Sequence, residues 1–567
     1  MPNQQNTYYK YVSKYAIVII ILAALIIRLA GTNTILFFEE AEWAMFSEDH
    51  TFTNLGLTFV LKAGPPVLWP HPPLAPILFK LATLQGATTA ALRMVPLVFG
   101  MATIILMYFM TKRFYSKKTA LITSGLMAIG YWHLLASLVV DIDGGILTFF
   151  LMLISYMLLL YDDTGKNRYL LICGIAFGIS LLSKYSVFLM LPVIFAYFVL
   201  RKNDASLKQK VLTALKVVIT ISLIGLVVFS VFPIASVIIG KPEVFMYSVE
   251  HSGGYTRFEP TLRPLMVMFA FGTPLFILLS IAALRNWRHN KNLFFLLFVF
   301  YFIFMYSFLL GSIGTESTYE KYLMIIIPSM SLLAGDFISR IHFSKKYIKL
   351  FVFLTVISTA AIILMNLPAA EYIDHSVPEY QRRAISAFSS GSLSEWNFNL
   401  PLMGNVQPGF WINFYSLAIT SIVSFLLFVL YFVKRSRMIF IIFLAVVISV
   451  NIFYIQEFLI HTTHPDINKV TYEMAEYFNT RYSDRPLYST TLQLAFYTHR
   501  NDDFFVGADD DSKDQALQAR QAGAVMLVTE YYPNIHKNSQ AWKNINMCRL
   551  EKEFSDKGVI VGRVFVC

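Results

Sequence analysis

Charged residues and cysteines are scarce in this chain of 567 residues. Only 14% of the residues are Asp, Glu, Lys or Arg, whereas 56% are hydrophobic. Soluble domains carry about 25% charge, and a water-soluble globule could not hide this much apolar surface, so we expect the protein to reside in a bilayer. Of the three cysteines, Cys173 lies in an apolar run. Cys548 and Cys567 lie near the C-terminus, where they form either one disulfide or two free thiols.

Several common functional motifs are also absent. The sequence has no CxxC or HExxH pattern, no P-loop, no dinucleotide-binding glycine motif and no internal repeat. The net charge of +11 does not indicate a nucleic-acid partner, because the basic residues form short clusters between apolar runs. That arrangement is typical of the cytoplasmic loops of membrane proteins.

The apolar runs predict about thirteen transmembrane helices, since a spanning helix needs roughly 20 mostly apolar residues. They cover residues 15–31, 88–111, 119–139, 145–161, 169–183, 186–200, 214–239, 261–284, 292–310, 321–339, 350–367, 410–433 and 438–455. Lys10 and Lys14 precede the first run, and no clear small-residue cleavage site follows it. We therefore interpret this run as the first helix of the mature protein rather than as a signal peptide.

The distribution of charge predicts the topology. With the N-terminus in the cytoplasm, every second loop is basic and the opposite loops are poor in Lys and Arg. The basic loops carry Lys112, Arg113, Lys117 and Lys118; Lys166 and Arg168; Arg201, Lys202, Lys208 and Lys210; Arg285, Arg288 and Lys291; Arg340, Lys345 and Lys346; and Lys434, Arg435 and Arg437. We expect a multi-pass protein of the plasma or inner membrane, with outer loops at 32–87, 240–260 and 368–409.

The last part of the chain has a different character. Residues 1–455 form the predicted transmembrane domain, and residues 456–567 are predicted to form a small extracytoplasmic α/β domain, because helical and strand-like stretches alternate there. The predicted helices cover residues 468–481 and 514–522, and the predicted strands cover residues 486–490, 503–506, 524–529 and 558–565.

The first outer loop carries the most informative residues. Glu39 and Glu40 directly follow the first predicted helix, and Trp43 shares a helix face with Glu39. These residues either form a solvated helix end, or they supply a general base or cation ligand at the membrane interface. His71 follows in the sequence Trp69-Pro70-His71-Pro72, as a polar turn residue or as a ligand for a phosphate or an acceptor.

Further polar residues lie in the other predicted outer segments. Arg93 either snorkels or binds an anionic headgroup, and Asp143 follows the third helix as a helix cap or a site residue. Lys184 lies at a hairpin turn, where a phosphate contact is plausible. His251, together with the carboxylates of the first loop and Asp143, would make a mixed oxygen and imidazole site that suits a divalent metal.

In this order, the motifs resemble the membrane glycosyltransferases of the GT-C fold, and above all the branch that holds the protein O-mannosyltransferases and the lipid A aminoarabinose transferase. The resemblance rests on an acidic pair with a following aromatic residue, a proline pair, an Arg-x-x-Pro helix start, an Asp after helix three, a hairpin Lys, a Glu-His pair and a basic-Tyr pair. In this chain these are Glu39-Glu40 with Trp43, Pro72-Pro73, Arg93 to Pro96, Asp143, Lys184, Glu250-His251 and Lys321-Tyr322. The family's first acid is usually Asp, and this chain has Glu39.

The resemblance implies transfer of a sugar from a polyprenyl-phosphate carrier to a lipid, glycan or protein acceptor on the extracytoplasmic face, with inversion of the anomeric centre. The carrier phosphate needs cations. We assign this contact to His71, Arg93, Lys184, Arg257, Lys321 and Tyr322. We assign catalysis to Glu39 as general base with Glu40 as the alternative and Asp143 as its partner. A divalent metal on Glu39, Asp143 and His251 is a further prediction.

A transporter or flippase is the alternative function, and a structural membrane protein is a third. Both explain the helices. Transport sites, however, lie near the bilayer midplane and often in repeated halves, whereas the polar residues of this chain gather in predicted outer loops. A single outer-face cluster that contains these residues would favour the enzyme.

Overall fold

The computed structural model is mostly helical. It describes residues 2–49, 58–59, 67–68, 71–202, 204–238, 240–253, 268, 273–287, 289–309, 319–367, 371–372, 383, 386–387, 389–404, 407–500, 504–505, 512–530 and 539–567. The α-helices before the C-terminal region are Pro2–Ala30, Phe38–Asp49, Leu74–Ala82, Thr89–Phe114, Lys117–Ile129, Tyr131–Ala136, Leu147–Thr164, Asn167–Leu181, Met190–Leu200, Leu207–Phe229, Val231–Ile238, Pro242–Gly253, Thr273–Ala283, Asn290–Phe304, Tyr319–Leu323, Ile327–Ser339, Lys345–Asn366, Phe414–Lys434 and Arg437–Ile460.

Within the described residues, eight helices are long and apolar enough to cross a membrane. They are Thr89–Phe114, Ile142–Thr164, Leu207–Ile238, Lys291–Phe308, Lys321–Ser339, Lys345–Asn366, Phe414–Lys434 and Arg437–Ile460. Shorter apolar helices are Tyr15–Ala30, Asn167–Leu181, Tyr185–Leu200 and Thr273–Asn286. The protein is therefore a multi-pass membrane protein. The predicted run at 119–139 is helical as well, but it is divided at Gly130 into two short helices, and the count of thirteen spans stays a prediction.

One boundary differs from the sequence prediction. Residues 410–433 were expected to form one helix, but Gln407–Asn413 is a strand that pairs antiparallel with Phe398–Gly404. The helix begins at Phe414, because the side chain of Asn413 accepts a hydrogen bond from the backbone N–H of Tyr415 and so caps it. A third short strand, Glu371–Tyr372, completes this sheet.

A π-helix, Ile142–Ile146, opens the spanning helix that continues to Thr164. Its two glycines allow close backbone packing. A Cβ on Gly145 would lie 2.5 Å from the carbonyl oxygen of Pro96, and one on Gly144 would lie 2.7 Å from that of Ala136. The π-helix therefore sits directly against helix Thr89–Phe114, and π-helices are often found at functional sites.

The C-terminal residues 467–567, which we call the C-terminal unit, form a mixed five-stranded sheet flanked by helices. Along the sheet, Phe504–Phe505, Leu487–Ser489 and Val525–Thr529 are parallel neighbours, and Val559–Val566 and Arg549–Asp556 follow as antiparallel strands. The helices are Ile467–Arg481, Leu492–Tyr497, Ser512–Gln521 and Gln540–Asn546. Four of the five strands and two of the four helices were predicted from the sequence. The edge strand Arg549–Asp556 was not, because its residues are polar except for Leu550 and Phe554. Cys548 and Cys567 form a disulfide.

The core of the C-terminal unit continues into the transmembrane part. Ile35, Phe37 and Trp411 are buried in the same cluster as Val470, Met474, Leu487 and other residues of the unit. The two parts therefore share a hydrophobic interface near the C-terminal end of the first helix.

Candidate active site

The helix Phe38–Asp49 carries the predicted acidic pair and begins eight residues after the first transmembrane helix ends. Glu40 points into the protein and is fully buried. Its Oε1 accepts hydrogen bonds from Arg93 Nη1 and from the backbone N–H of Val140, both at 2.8 Å. Its Oε2 accepts from Arg93 Nη2 at 3.0 Å and from the N–H of Phe37 at 2.8 Å. A carboxylate offers about four acceptor sites, so that of Glu40 is saturated.

Arg93 is equally saturated. Besides its two bonds to Glu40, it donates from Nε to the carbonyl of Thr34 and from Nη2 to that of Ile35, at 3.2 and 2.6 Å. Its Nη1 also donates to the carbonyl of Leu138. These contacts use all five N–H groups of a guanidinium, and the side chain is fully buried. The described contacts thus make Arg93 and Glu40 a structural pair, which we call the scaffold pair. This pair ties the segment after the first helix to the start of two other helices.

Two aspartates lie beside this scaffold. Asp141 directly follows Val140 and caps the π-helix, because its Oδ1 accepts a 2.6 Å hydrogen bond from the N–H of Ile142. Asp143 lies within the π-helix, and both carboxylates are almost completely buried. The Oδ1 of Asp143 has no hydrogen-bond partner among the described residues.

Each aspartate is paired with a lysine from another segment. Lys184, at the turn between helix Asn167–Leu181 and the 3-10 helix Tyr185–Leu189, forms an ion pair with Asp143. Lys321 lies 3.2 Å from Asp141 Oδ2 and is 8% exposed. Burial alone would raise the pKa of Asp141, but the charges of Lys321 and Lys184 outweigh it and hold this pKa below its usual value.

Tyr322 joins the two ion pairs. Its ring centroid lies 4.5 Å from Lys184 Nζ and 5.3 Å from Lys321 Nζ, which is within the range of cation–π attraction. The ring of Tyr306 also stacks on it, with centroids 5.4 Å apart. The aromatic ring therefore holds two ammonium groups close together. Because like charges repel, this proximity requires negative charge nearby.

His71 extends this cluster toward helix Phe38–Asp49, which we call the acidic helix. Its half-buried ring stacks on Trp43, with centroids 6.1 Å apart and planes 10° from parallel. A positive charge on this ring would lower the pKa of Asp141. Trp43 lies three residues after Glu40 in the acidic helix, so the stack connects that helix with the aspartate–lysine cluster.

The structure therefore brings together His71, Asp143, Lys184, Lys321 and Tyr322 from four segments of the chain. The side chains of Glu39 and His251 and all of Arg257 lie outside the described residues. Among the described residues, no three His, Cys, Asp or Glu side chains lie close enough to hold a metal ion. At Asp143, Lys184 supplies the positive charge that a metal cation would bring.

Sequence reasoning did not assign roles to Asp141 or Tyr306. Asp141 stood in the same acidic turn as Asp143, but no spacing rule links it to Lys321, which is 180 residues away in the sequence. The pairing depends on the packing of separate helices. The sequence does not single out Tyr306 as a site residue, because it lies in a run of aromatic residues that is typical of a transmembrane helix.

Comparisons with known proteins agree with this architecture. Residues 70–234 match the family profile described as dolichyl-phosphate-mannose-protein mannosyltransferase. The fold is similar to that of ArnT from Cupriavidus metallidurans bound to undecaprenyl phosphate, with a TM-score of 0.59, 13% sequence identity and 97% of each chain covered. The apo state of the same protein gives a TM-score of 0.58 at 14% identity, again with 97% of each chain covered. No match was found among curated protein sequences.

The family match covers the proline pair, the scaffold arginine, the aspartate turn and the lysine hairpin. The fold similarity extends over nearly the whole chain, including the C-terminal unit. The chain therefore shares the fold of ArnT, and its residues 70–234 are similar to the dolichyl-phosphate-mannose-protein mannosyltransferase family.

Proposed function

We propose that the protein transfers a sugar from a polyprenyl-phosphate carrier to a lipid, glycan or protein acceptor on the extracytoplasmic face, with inversion of the anomeric centre. The observation that carries this proposal is the buried cluster of two aspartate–lysine pairs around Tyr322, beside the acidic helix Phe38–Asp49. The similar ArnT structure contains undecaprenyl phosphate, which supports a polyprenyl-phosphate carrier for this chain as well.

The carrier phosphate is assigned to Lys184 and Lys321, with Tyr322 and His71 beside them. An ammonium group has three donors, so Lys184 can keep its contact with Asp143 and still donate to a phosphate. The carboxylates keep the lysines in place before the carrier arrives. Arg257 stays a prediction for the same role. Arg93 is assigned to the scaffold, because its five donors are already bound within the protein.

The general base is assigned to Glu39. Between the two adjacent acids, Glu40 has both oxygens occupied by Arg93 and by backbone N–H groups, and taking up a proton would break this network. Glu39 precedes it in the same helix and stands where the resembling family has its acid. It would take the proton of the acceptor hydroxyl as the sugar moves from the phosphate to that oxygen, and the carrier phosphate leaves.

The sidedness of the site follows the charge pattern of the loops, with the N-terminus in the cytoplasm and residues 456–567 outside. The disulfide between Cys548 and Cys567 supports an oxidising compartment for the C-terminal unit. This unit packs against residues 35 and 37 next to the acidic helix, which supports an active site on the same side of the membrane.

The carrier contact is tested by binding of undecaprenyl phosphate to the purified protein. Lys184→Met should weaken binding about 10- to 100-fold, because a charge-assisted contact contributes roughly 1.5–3 kcal/mol. The double variant Lys184→Met with Asp143→Asn removes the unpaired carboxylate, so it should fold normally and still bind poorly. Lys241→Met, on the same predicted side, is the matched control. Unchanged binding by the folded double variant would contradict the assignment.

The base is tested by turnover of a polyprenyl-phosphate-linked sugar. Glu39→Gln should lower turnover about 10²- to 10⁴-fold, the usual contribution of a general base, while carrier binding is retained. Glu39→Asp should keep part of the activity. Normal turnover by Glu39→Gln would show that the helix carries a different base or none.

A further inference from the structure

The short segment of residues 33–37 connects the first transmembrane helix to the acidic helix. Several of its backbone groups bind the scaffold pair. Arg93 donates hydrogen bonds to the carbonyls of Thr34 and Ile35, at 3.2 and 2.6 Å, and the N–H of Phe37 donates to Glu40 at 2.8 Å. Through these bonds, the segment is fixed by the transmembrane part of the protein.

Other backbone groups of the segment bind the C-terminal unit. The N–H of Ile35 donates to Asn468 Oδ1 at 2.9 Å, and the N–H of Leu36 donates to the hydroxyl oxygen of Tyr497 at 2.8 Å. The hydroxyl of Tyr472 donates to the carbonyl of Asn33 at 3.3 Å. More than 400 residues separate these partners along the sequence, so the contacts exist only when the C-terminal unit is docked.

The side chains of the segment alternate between the two parts. Ile35 and Phe37 are fully buried in the core of the C-terminal unit, whereas Leu36 is fully buried in the transmembrane core. The segment is thus clamped between two cores, and a shift of the C-terminal unit would move it.

Tyr497 makes a second contact that links the same elements. Its hydroxyl lies 3.0 Å from Thr89 Oγ1, at the start of helix Thr89–Phe114, which also carries Arg93 four residues later. Since the Leu36 N–H donates to the tyrosine oxygen, the tyrosine hydroxyl can donate to Thr89. The helix that ends at Tyr497, Leu492–Tyr497, also packs on the acidic helix. Tyr497 is half-buried and packs against both the transmembrane core and the core of the C-terminal unit, so it supports the segment in addition to Arg93.

Asn468 is oriented by a second residue of the junction. Its Nδ2 lies 2.7 Å from Nε2 of His461, which ends the last transmembrane helix. When Nε2 is unprotonated, Asn468 donates to it and turns its oxygen toward Ile35. The amide is therefore pre-oriented for its contact with the segment.

From these contacts we infer that the C-terminal unit belongs to the catalytic machinery, with Tyr497 and Asn468 as positioning residues that set the start of the acidic helix. This inference rests on the proposed function, since Glu39 in that helix is the proposed base. An acid that must meet an acceptor hydroxyl at hydrogen-bond distance loses efficiency when its helix shifts by about 1 Å. The C-terminal unit would thereby control turnover without touching the sugar.

The test compares two tyrosine variants of the full-length protein. Tyr497→Phe keeps the ring but removes the hydroxyl and leaves the N–H of Leu36 without its acceptor. We expect kcat to fall about five- to fiftyfold, while the affinity for undecaprenyl phosphate stays within twofold. Tyr488→Phe is the matched control, because Tyr488 belongs to the same C-terminal unit and its buried hydroxyl has no hydrogen-bond partner among the described residues.

A second pair of variants separates positioning from general stability. Asn468→Asp keeps an acceptor for the N–H of Ile35, whereas Asn468→Ala removes it. The Asn468→Asp variant should therefore have a higher kcat than the Asn468→Ala variant, while both bind the carrier equally well. If Asn468→Asp and Asn468→Ala lose the same activity, Asn468 does not position the segment through this bond.

Amide hydrogen exchange of the peptide that covers residues 33–40 completes the experiment without relying on catalysis. Tyr497→Phe should accelerate exchange there, and Tyr488→Phe should not. Faster exchange with unchanged kcat would overturn the positioning role, and unchanged exchange would overturn the clamp itself. If the wild type transfers no sugar from a polyprenyl-phosphate donor, the proposed function fails, and the exchange result alone decides whether the C-terminal unit fixes the segment.

Discussion

Arg93 offers the sharpest prediction about the architecture of the site. Replacing it by Lys keeps the positive charge and much of the length, but a lysine has three N–H donors where the arginine uses five. At least two of the buried acceptors around residue 93 would lose their partner. Each unsatisfied buried acceptor costs about 1–3 kcal/mol, so Arg93→Lys should lower the free energy of unfolding by about 2–6 kcal/mol. A carrier-phosphate ligand would respond differently, because a lysine also binds phosphate well.

The assay is denaturant unfolding of the purified protein in mixed micelles, together with carrier binding on the folded fraction. We expect the loss of stability and a nearly unchanged affinity for undecaprenyl phosphate. Arg113→Lys is the control, since Arg113 forms an ion pair with Asp163 in which the two side chains are 50% and 35% exposed. Such pairs contribute about 0–1 kcal/mol. A stable Arg93→Lys protein with strongly weakened carrier binding would refute the scaffold role.

Two further predictions concern topology and pH. An impermeant thiol reagent applied to intact cells should label a single cysteine introduced at Ser512 but not one introduced at Ser206. The reverse pattern would overturn the helix assignment. Burial, reinforced by the charges of Lys557 and His461, lowers the pKa of His464 to about 3, below the roughly 6.5 of an unfolded chain. Its contribution to stability is therefore fully present above about pH 6.5 and is lost as the pH falls. Between pH 7 and pH 5 the loss should reach about 2 kcal/mol, and His464→Gln should weaken this dependence in unfolding curves.

The transmembrane helices were predictable because hydropathy and loop charge depend only on local composition. Each predicted run contains a helix where the structure describes it. The main differences are the run 119–139, which is divided at Gly130 and whose helix ends at Ala136, and residues 410–413, where a strand precedes the helix. That strand could not be recognised from Phe410 and Trp411, because bulky apolar residues suit a strand and a membrane helix equally well.

The site was predictable only in part. The turn of Asp143 and the hairpin of Lys184 were each visible as polar residues at the end of an apolar run, and the structure pairs them. The chemistry of Arg93 was not predictable, since its partners are mostly backbone carbonyls of a distant loop, and backbone groups leave no trace in the sequence. The role of Tyr497 was hidden for the same reason, because its hydroxyl binds a backbone N–H more than 400 residues away.

The central claim is sugar transfer from a lipid-linked donor, and its most direct test is mass spectrometry of the glycans and lipids of cells with and without this protein. We predict that one species is heavier by a single sugar residue only in cells that carry the protein. The shift should disappear in cells that carry Glu39→Gln and persist in cells that carry Lys241→Met. Identical glycans, lipids and envelope proteins in the presence and absence of the protein would contradict the claim.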